Sequence, residues 1–162
     1  MEFTIYASIV FLCAYVVAWV VRRVRFSKDR RQMAEESRVS GRVIARVDEL
    51  APGAVKKFWL ICDSYRVNCF LVNHQGSFHA YVNSCRHLVT PLDFVRYQFF
   101  SEDGRHLVCA THGAVYEPDT GLCVDGPCKG LSLHVLPVSV ESDQVIVGCP
   151  AGDRSFLSEV AD

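Results

Sequence analysis

The chain is too short for two catalytic domains. Its 162 residues leave room for one compact domain of roughly 100–120 residues plus extensions. No G-x-G-x-x-G fingerprint is present, which excludes a nicotinamide or flavin site of that kind. A separate set of two histidines and a carboxylate, as an iron oxygenase centre would need, is also missing. Positive charge is scarce where a nucleic acid would have to bind. Residues 43–162 hold 9 Lys/Arg against 14 Asp/Glu, and the basic excess of 8 against 4 is confined to residues 1–42. A nucleic-acid partner is therefore not expected. Beyond residue 42 there is neither an internal repeat nor a helical period of useful length.

Charge is absent altogether from FTIYASIVFLCAYVVAWVV, the 19 residues from Phe3 to Val21. At about 1.5 Å per residue this run crosses most of a 30 Å hydrocarbon core. It reads as one transmembrane helix over residues 1–22, with Tyr6 and Trp19 near the two interfaces. A cleaved signal peptide would need a basic start and a small-residue cleavage site, and the run has neither. Only Glu2 precedes it, while RRVRFSKDRR follows, carrying Arg22, Arg23, Arg25, Lys28, Arg30 and Arg31. Positive flanks stay on the cytoplasmic side, so the C-terminal domain is expected there, with the basic neck of residues 23–42 against anionic headgroups.

From residue 43 short runs rich in β-branched and aromatic residues take over: VIARVDEL, KKFWLICD, YRVNCFLVN and FHAYVNS. Turn residues separate them at Pro52-Gly53, Asp63-Ser64 and Gly76-Ser77. After the turn at Asp103-Gly104 come HLVCA, AVYEP, LCVDG, LHVLPVSVE and QVIVG. The expectation is an all-β domain over 43–148, a β-sandwich of antiparallel strands with long loops at one end, followed by a tail over 149–162.

The stretch CRHLVTPLDFVRYQFFSEDGRHLVCATH, residues 85–112, opens with Cys-x-His and closes with Cys-x-x-His. Two thiolates and two imidazoles would satisfy a tetrahedral zinc. Zinc-finger spacing, however, usually sets the two cysteines together and the two histidines together. Here each cysteine has a histidine beside it, Cys85 with His87 and Cys109 with His112. That interleaving suits a two-iron cluster in which one iron takes both thiolates and the other both imidazoles.

With CRHLVTPLD as first loop, CATHGAVYEPDTG as second and VDGPCKGLSLHVLPV as a proline-containing third, residues 43 to 148 resemble the Rieske iron–sulfur domain family, especially its ferredoxin-like members. The resemblance implies a Rieske-type β-sandwich with a cluster-binding subdomain and a [2Fe–2S] cofactor. It assigns Cys85 and Cys109 to the inner iron and His87 and His112 to the outer one, with Tyr116, Gly126 and Pro127 behind or over the cluster. Such centres span about −150 to +300 mV. The high-potential members in cytochrome bc complexes join their ligand loops by a disulfide and carry a serine after the second His-Gly. Here the corresponding positions are Thr90, Ala110 or Thr111, and Ala114, so that disulfide and that hydroxyl are both missing. Tyr116 keeps a phenol that could reach a ligand sulfur or simply fill core space, and a potential below the bc type is expected. The spacing from His87 to Cys109 leaves Phe94 to Arg105 as an extended hairpin or flap.

The remaining cysteines and histidines look structural. Cys62 and Cys69 read as core thiols. Cys123 and Cys128 flank Gly126-Pro127 and could join, although a cytoplasmic domain argues against it. No role is assigned to Cys13 or Cys149, and His74, His79, His106 and His134 read as surface or strand residues. Phe156 and Leu157 are candidates for docking on the domain or on a partner. A Rieske centre moves single electrons without bond chemistry of its own, so the resemblance implies an electron-transfer protein anchored beside a membrane oxidoreductase or oxygenase. The alternatives are a fixed subunit of a membrane redox complex, with Ala7, Ser8, Ala14 and Ala18 lining a helix contact, or a cluster-bearing sensor.

Overall fold

The strand YRVNCFLVN is the hinge of the architecture, because its central residues are apolar on both faces. In the computed structural model, which describes residues 41–94, 98–150 and 154–161, it lies in the middle of three stacked layers. In chain order the strands are β1 (Arg42–Arg46), β2 (Val55–Cys62), β3 (Tyr65–His74), β4 (Ser77–Val82), β5 (Leu107–Val108), β6 (Val115–Tyr116), β7 (Cys123–Asp125), β8 (Val135–Leu136), β9 (Val138–Glu141) and β10 (Gln144–Val147). They form three antiparallel sheets, ordered β1-β10-β9, β2-β3-β4-β8 and β5-β6-β7.

Successive side chains of a strand point to opposite faces, and β3 uses both. Cys69 and Leu71 join Ile44, Leu60, Val82, Val145 and Leu157 in one core. Phe70 and Val72 join Tyr81, Leu92, Leu107 and Tyr116 in a second. Burying each such side chain contributes roughly 1.5–3 kcal/mol. The four-stranded sheet is thus a shared wall: the first ligand loop leaves it after β4, and it packs against the small sheet whose β5–β6 connection is the second.

Tight turns fix the register. Asp63 and Ser64 (φ 50° and 73°), Gln75 and Gly76 (52° and 90°) and Ser142 and Asp143 (48° and 65°) all lie at positive φ. That is the turn whose twist matches antiparallel strands. Two expected strands are cut short. VIARVDEL leaves the sheet after Arg46 and continues as a 3-10 turn, Val47–Glu49. LHVLPVSVE divides at Pro137, whose missing N–H interrupts a ladder, so that β8 pairs with β4 and β9 with β10.

The chain beyond Gly148 packs on the domain. Leu157 is buried in the first core, at the start of the one-turn helix α1 (Leu157–Val160). Phe156 stacks on His134 with ring centroids 3.9 Å apart. Cys62 and Cys149 form a disulfide across 87 residues. This corrects the reading of Cys62 as a free core thiol and of Cys149 as a residue without a role. Cys69 is a buried free thiol, its pKa pushed up to about 12 by burial. The anchor expected over residues 1–22, with Cys13, and the neck as far as Ser40 lie outside the described residues. Among the described residues no helix is long and apolar enough to cross a membrane.

Candidate metal centre

The first ligand loop is held from below by a buried carboxylate. Asp93, 1% exposed, accepts from Lys57 Nζ at 2.6 Å and from Asn83 Nδ2 at 2.9 Å. The Asn83 side-chain oxygen Oδ1 in turn accepts from the Leu92 backbone N–H at 2.9 Å. Within the loop the Cys85 N–H donates to the Thr90 carbonyl at 2.8 Å, folding residues 85–90 into a tight projection. The second loop closes in the same way, with Cys109 N–H donating to Ala114 O and Gly113 N–H to Cys109 O, both at 2.9 Å. Ala110 N–H donates to Leu92 O at 2.7 Å, so a backbone hydrogen bond ties the two loops together.

These loops bring Cys85, His87, Cys109 and His112 to one place. The two thiols are neighbours that shift each other's titration and are buried, while both imidazoles are exposed, their ring centroids 5.0 Å apart and edge to face. Each sulfur is approached by the backbone N–H groups two and three residues on, those of His87 and Leu88 for Cys85 and those of Thr111 and His112 for Cys109. Such donors favour thiolate, the form that binds metal. The Cys109 thiol, with help from Tyr116 and those amides, pulls the Cys85 pKa down to about 5. The same sulfur contact and burial push Cys109 up.

Among the described residues no three His, Cys, Asp or Glu side chains converge to hold one metal ion. The donors fall into two pairs, buried sulfur and exposed nitrogen. Two thiols on the inside and two imidazoles on the outside fit a diiron cluster bound two and two.

Tyr116 lies behind the sulfur pair with no exposed surface. Its hydroxyl is 3.2 Å from Cys85 Sγ and 3.1 Å from Cys128 Sγ, and accepts from the Arg86 N–H at 3.1 Å. Burial, then the Cys128 and Cys85 sulfurs, push its pKa up, so the phenol keeps its proton and can donate it.

Gly126 and Pro127 form the third loop. Gly126 adopts φ +95°, and a Cβ there would lie 2.8 Å from Ala114 Cα, against the backbone of the second ligand loop. Pro127 is exposed. Gly126→Ala is expected to cost about 1–3 kcal/mol from backbone conformation alone, with the overlap adding to it. A lower melting temperature, together with faster cofactor loss on dialysis, checks this.

The stretch from Phe94 to Arg105 folds back in its described part. Phe99 is buried against Phe70 with centroids 4.6 Å apart, Phe100 bridges to Leu107, and Phe94 is 66% exposed. Three histidines do more than their strand positions suggested. His74 and His79 both reach Asp119 Oδ1, at 2.6 and 3.3 Å. The Arg86 guanidinium donates to His134 Nε2, which requires a neutral ring. Burial, then the Arg86 charge, lower the His134 pKa to about 4. The unfolded chain therefore binds the extra proton first, and this contribution to stability is complete above about pH 6.5 and lost as pH falls towards 4. Melting curves over that range should show the decline, and His134→Gln should flatten it.

The family model described as the Rieske [2Fe-2S] domain matches residues 41–137. Among solved structures, the ferredoxin of carbazole 1,9a-dioxygenase from Nocardioides aromaticivorans IC177 is similar at 23% identity and a TM-score of 0.53, over 68% of this chain and 98% of that one. The terminal oxygenase of carbazole 1,9a-dioxygenase from Novosphingobium sp. KA1 is similar at 22% identity and a TM-score of 0.57, over 73% of this chain and 32% of the oxygenase. No curated protein matches the sequence. The match over most of the described domain, and the paired donors it contains, lead to one conclusion: the chain belongs to the Rieske [2Fe–2S] domain family, whose domain binds a [2Fe–2S] cluster.

Proposed function

We propose that this protein is an electron-transfer protein of the ferredoxin kind, with the cluster held by Cys85 and Cys109 on its inner side and by His87 and His112 on its outer side. The observation that carries this reading is the pairing of two buried thiols with two exposed imidazoles. The bound cluster supplies a one-electron couple. The chain keeps the sulfur side away from water and presents the imidazole side to a partner. Leu88 and Val89, 48% and 58% exposed, follow His87 in the chain and offer the apolar contact that a redox partner would cover. Solved structures with this fold include a complex of oxygenase and ferredoxin in carbazole 1,9a-dioxygenase, which supports a terminal oxygenase as one class of partner. The uncharged run Phe3–Val21 and the basic neck support single-pass anchoring with the domain on the cytoplasmic side. Confinement beside a membrane enzyme would raise the effective concentration of the carrier.

Potentiometric titration of the detergent-purified chain, followed by electron paramagnetic resonance (EPR), tests this. A rhombic Rieske signal at a potential below the bc type is expected, whereas zinc in place of iron would overturn the proposal. Tyr116→Phe should lower the midpoint. Losing a hydrogen bond to a ligand sulfur removes about 1 kcal/mol of preference for the reduced state, or roughly 40 mV for a one-electron couple. An unmoved midpoint would leave Tyr116 as core packing.

A further inference from the structure

Two cysteines outside the proposed ligand set lie on the far side of Tyr116 from Cys85. Cys123 on β7 is 1% exposed and Cys128, just past Pro127, is 5% exposed. Their sulfurs are 3.4 Å apart, with Cys128 donating to Cys123, while Cys123 donates to the Asp125 carbonyl at 3.1 Å. Both thiol protons are thus committed away from Tyr116, and the phenol oxygen already accepts the Arg86 N–H. The phenol proton is therefore shared between two acceptors, Cys128 Sγ at 3.1 Å and Cys85 Sγ at 3.2 Å. A continuous path runs from the dithiol, through one hydroxyl, to a sulfur assigned to the cluster.

We propose that Cys123 and Cys128 form a reversible redox-modification site, a dithiol that closes to a disulfide and thereby leaves the Tyr116 phenol proton to Cys85 alone. The oxidant class is a hydroperoxide, small enough to reach a nearly buried sulfur. Cys128, the more exposed of the two, attacks one peroxide oxygen. The O–O bond breaks, Cys128 becomes a sulfenic acid, and the released hydroxide takes the thiol proton to leave as water. The Cys123 sulfur then attacks Cys128, the S–S bond forms, and the second hydroxide leaves as water with the Cys123 proton. In sum, two thiols give up two protons and two electrons, and one hydrogen peroxide becomes two waters.

Closure must bring the sulfurs from 3.4 Å to about 2.05 Å. The exposed loop Asp125–Pro127 and the exposed Lys129 and Gly130 can follow such a movement. Cys128 Sγ is drawn towards Cys123 and becomes a weaker acceptor, so the phenol donates fully to Cys85 Sγ. A stronger hydrogen bond to a ligand sulfur favours the reduced cluster. The midpoint should therefore rise on oxidation of the dithiol. This second step rests on the ligation proposed above, whereas closure of the pair does not.

The full-length, cluster-loaded protein is treated with hydrogen peroxide, quenched with catalase and divided. One portion is denatured, alkylated and cut with trypsin. The peptide His106–Lys129 contains Cys109, Cys123 and Cys128. It is expected to carry three alkyl groups before treatment and one, on Cys109, after it. The other portion is titrated by EPR, where a raised midpoint that dithiothreitol reverses is expected, and Cys123→Ser should keep its signal and show no rise. Three alkyl groups after treatment would overturn the dithiol site, and an equal rise in Cys123→Ser would overturn its coupling to Cys85. Absence of a Rieske signal before treatment would overturn the ligation and the coupling together, with the alkylation pattern still deciding the dithiol.

Discussion

Replacing His87 or His112 by Ser is expected to abolish the rhombic Rieske signal while leaving the protein folded. Both imidazoles are exposed at the tips of their loops, so neither substitution opens the core. Exposed substitutions of this kind usually change stability by no more than about 0.5 kcal/mol. The loops have their own supports, Asp93 and Asn83 beneath the first and the Ala110-to-Leu92 hydrogen bond between them, none of which involves an imidazole. Each histidine would supply half the nitrogen donors of the outer iron, so loss of one should destroy the signal entirely. Circular dichroism close to that of the parent, with no Rieske signal, is the predicted pair of results. An unchanged EPR spectrum in either variant would defeat the ligand assignment. Cys85→Ser or Cys109→Ser would be a less clean test, because each would place a hydroxyl in the second core and disturb packing as well as ligation.

The parts of this centre that were legible in the sequence are those fixed by short spacing. Cys-x-His and Cys-x-x-His bring their donors together through local loop geometry, and YRVNCFLVN was legible as a strand, although its place between two cores shows only in the packing. Less legible was whatever depends on where separate loops meet. The phenol of Tyr116 was readable as a possible partner of a ligand sulfur, but its contact with Cys128 depends on how the third loop folds over the second. Asp93 gave no signal, since a lone aspartate in a loop becomes a foundation only when Lys57 arrives from β2. His134 looked like an ordinary strand residue until Arg86 and Phe156, far from it in sequence, closed around it. The Cys62–Cys149 bond was hidden for the same reason. One partner sits in an apolar alternation that suits a core thiol, and the other lies 87 residues away.

That bond is expected to be a main support of the fold. A cross-link closing so long a loop removes much of the freedom of the unfolded chain and typically contributes about 2–4 kcal/mol. Cys149→Ser should therefore lower the melting temperature by roughly 10 °C or more. Dithiothreitol should lower the melting temperature of the parent protein by a similar amount and leave that of the variant alone. Equal sensitivity of the two proteins would mean that the bond adds nothing. The same pair bears on orientation. Structural disulfides persist on oxidising sides of membranes and are kept open by the cytosolic thiol pool, whereas the basic neck argues for the cytoplasmic face. If that orientation is right, Cys62 and Cys149 should be alkylated as free thiols when intact cells are quenched with a membrane-permeant reagent, and the domain should then run on the lower of its two stabilities. If instead the pair resists alkylation even after denaturation, Cys62 being 1% exposed in the folded domain, the domain faces the oxidising side. The charge rule would then have been overruled by the bond, and the redox partner would have to be sought on that side of the membrane.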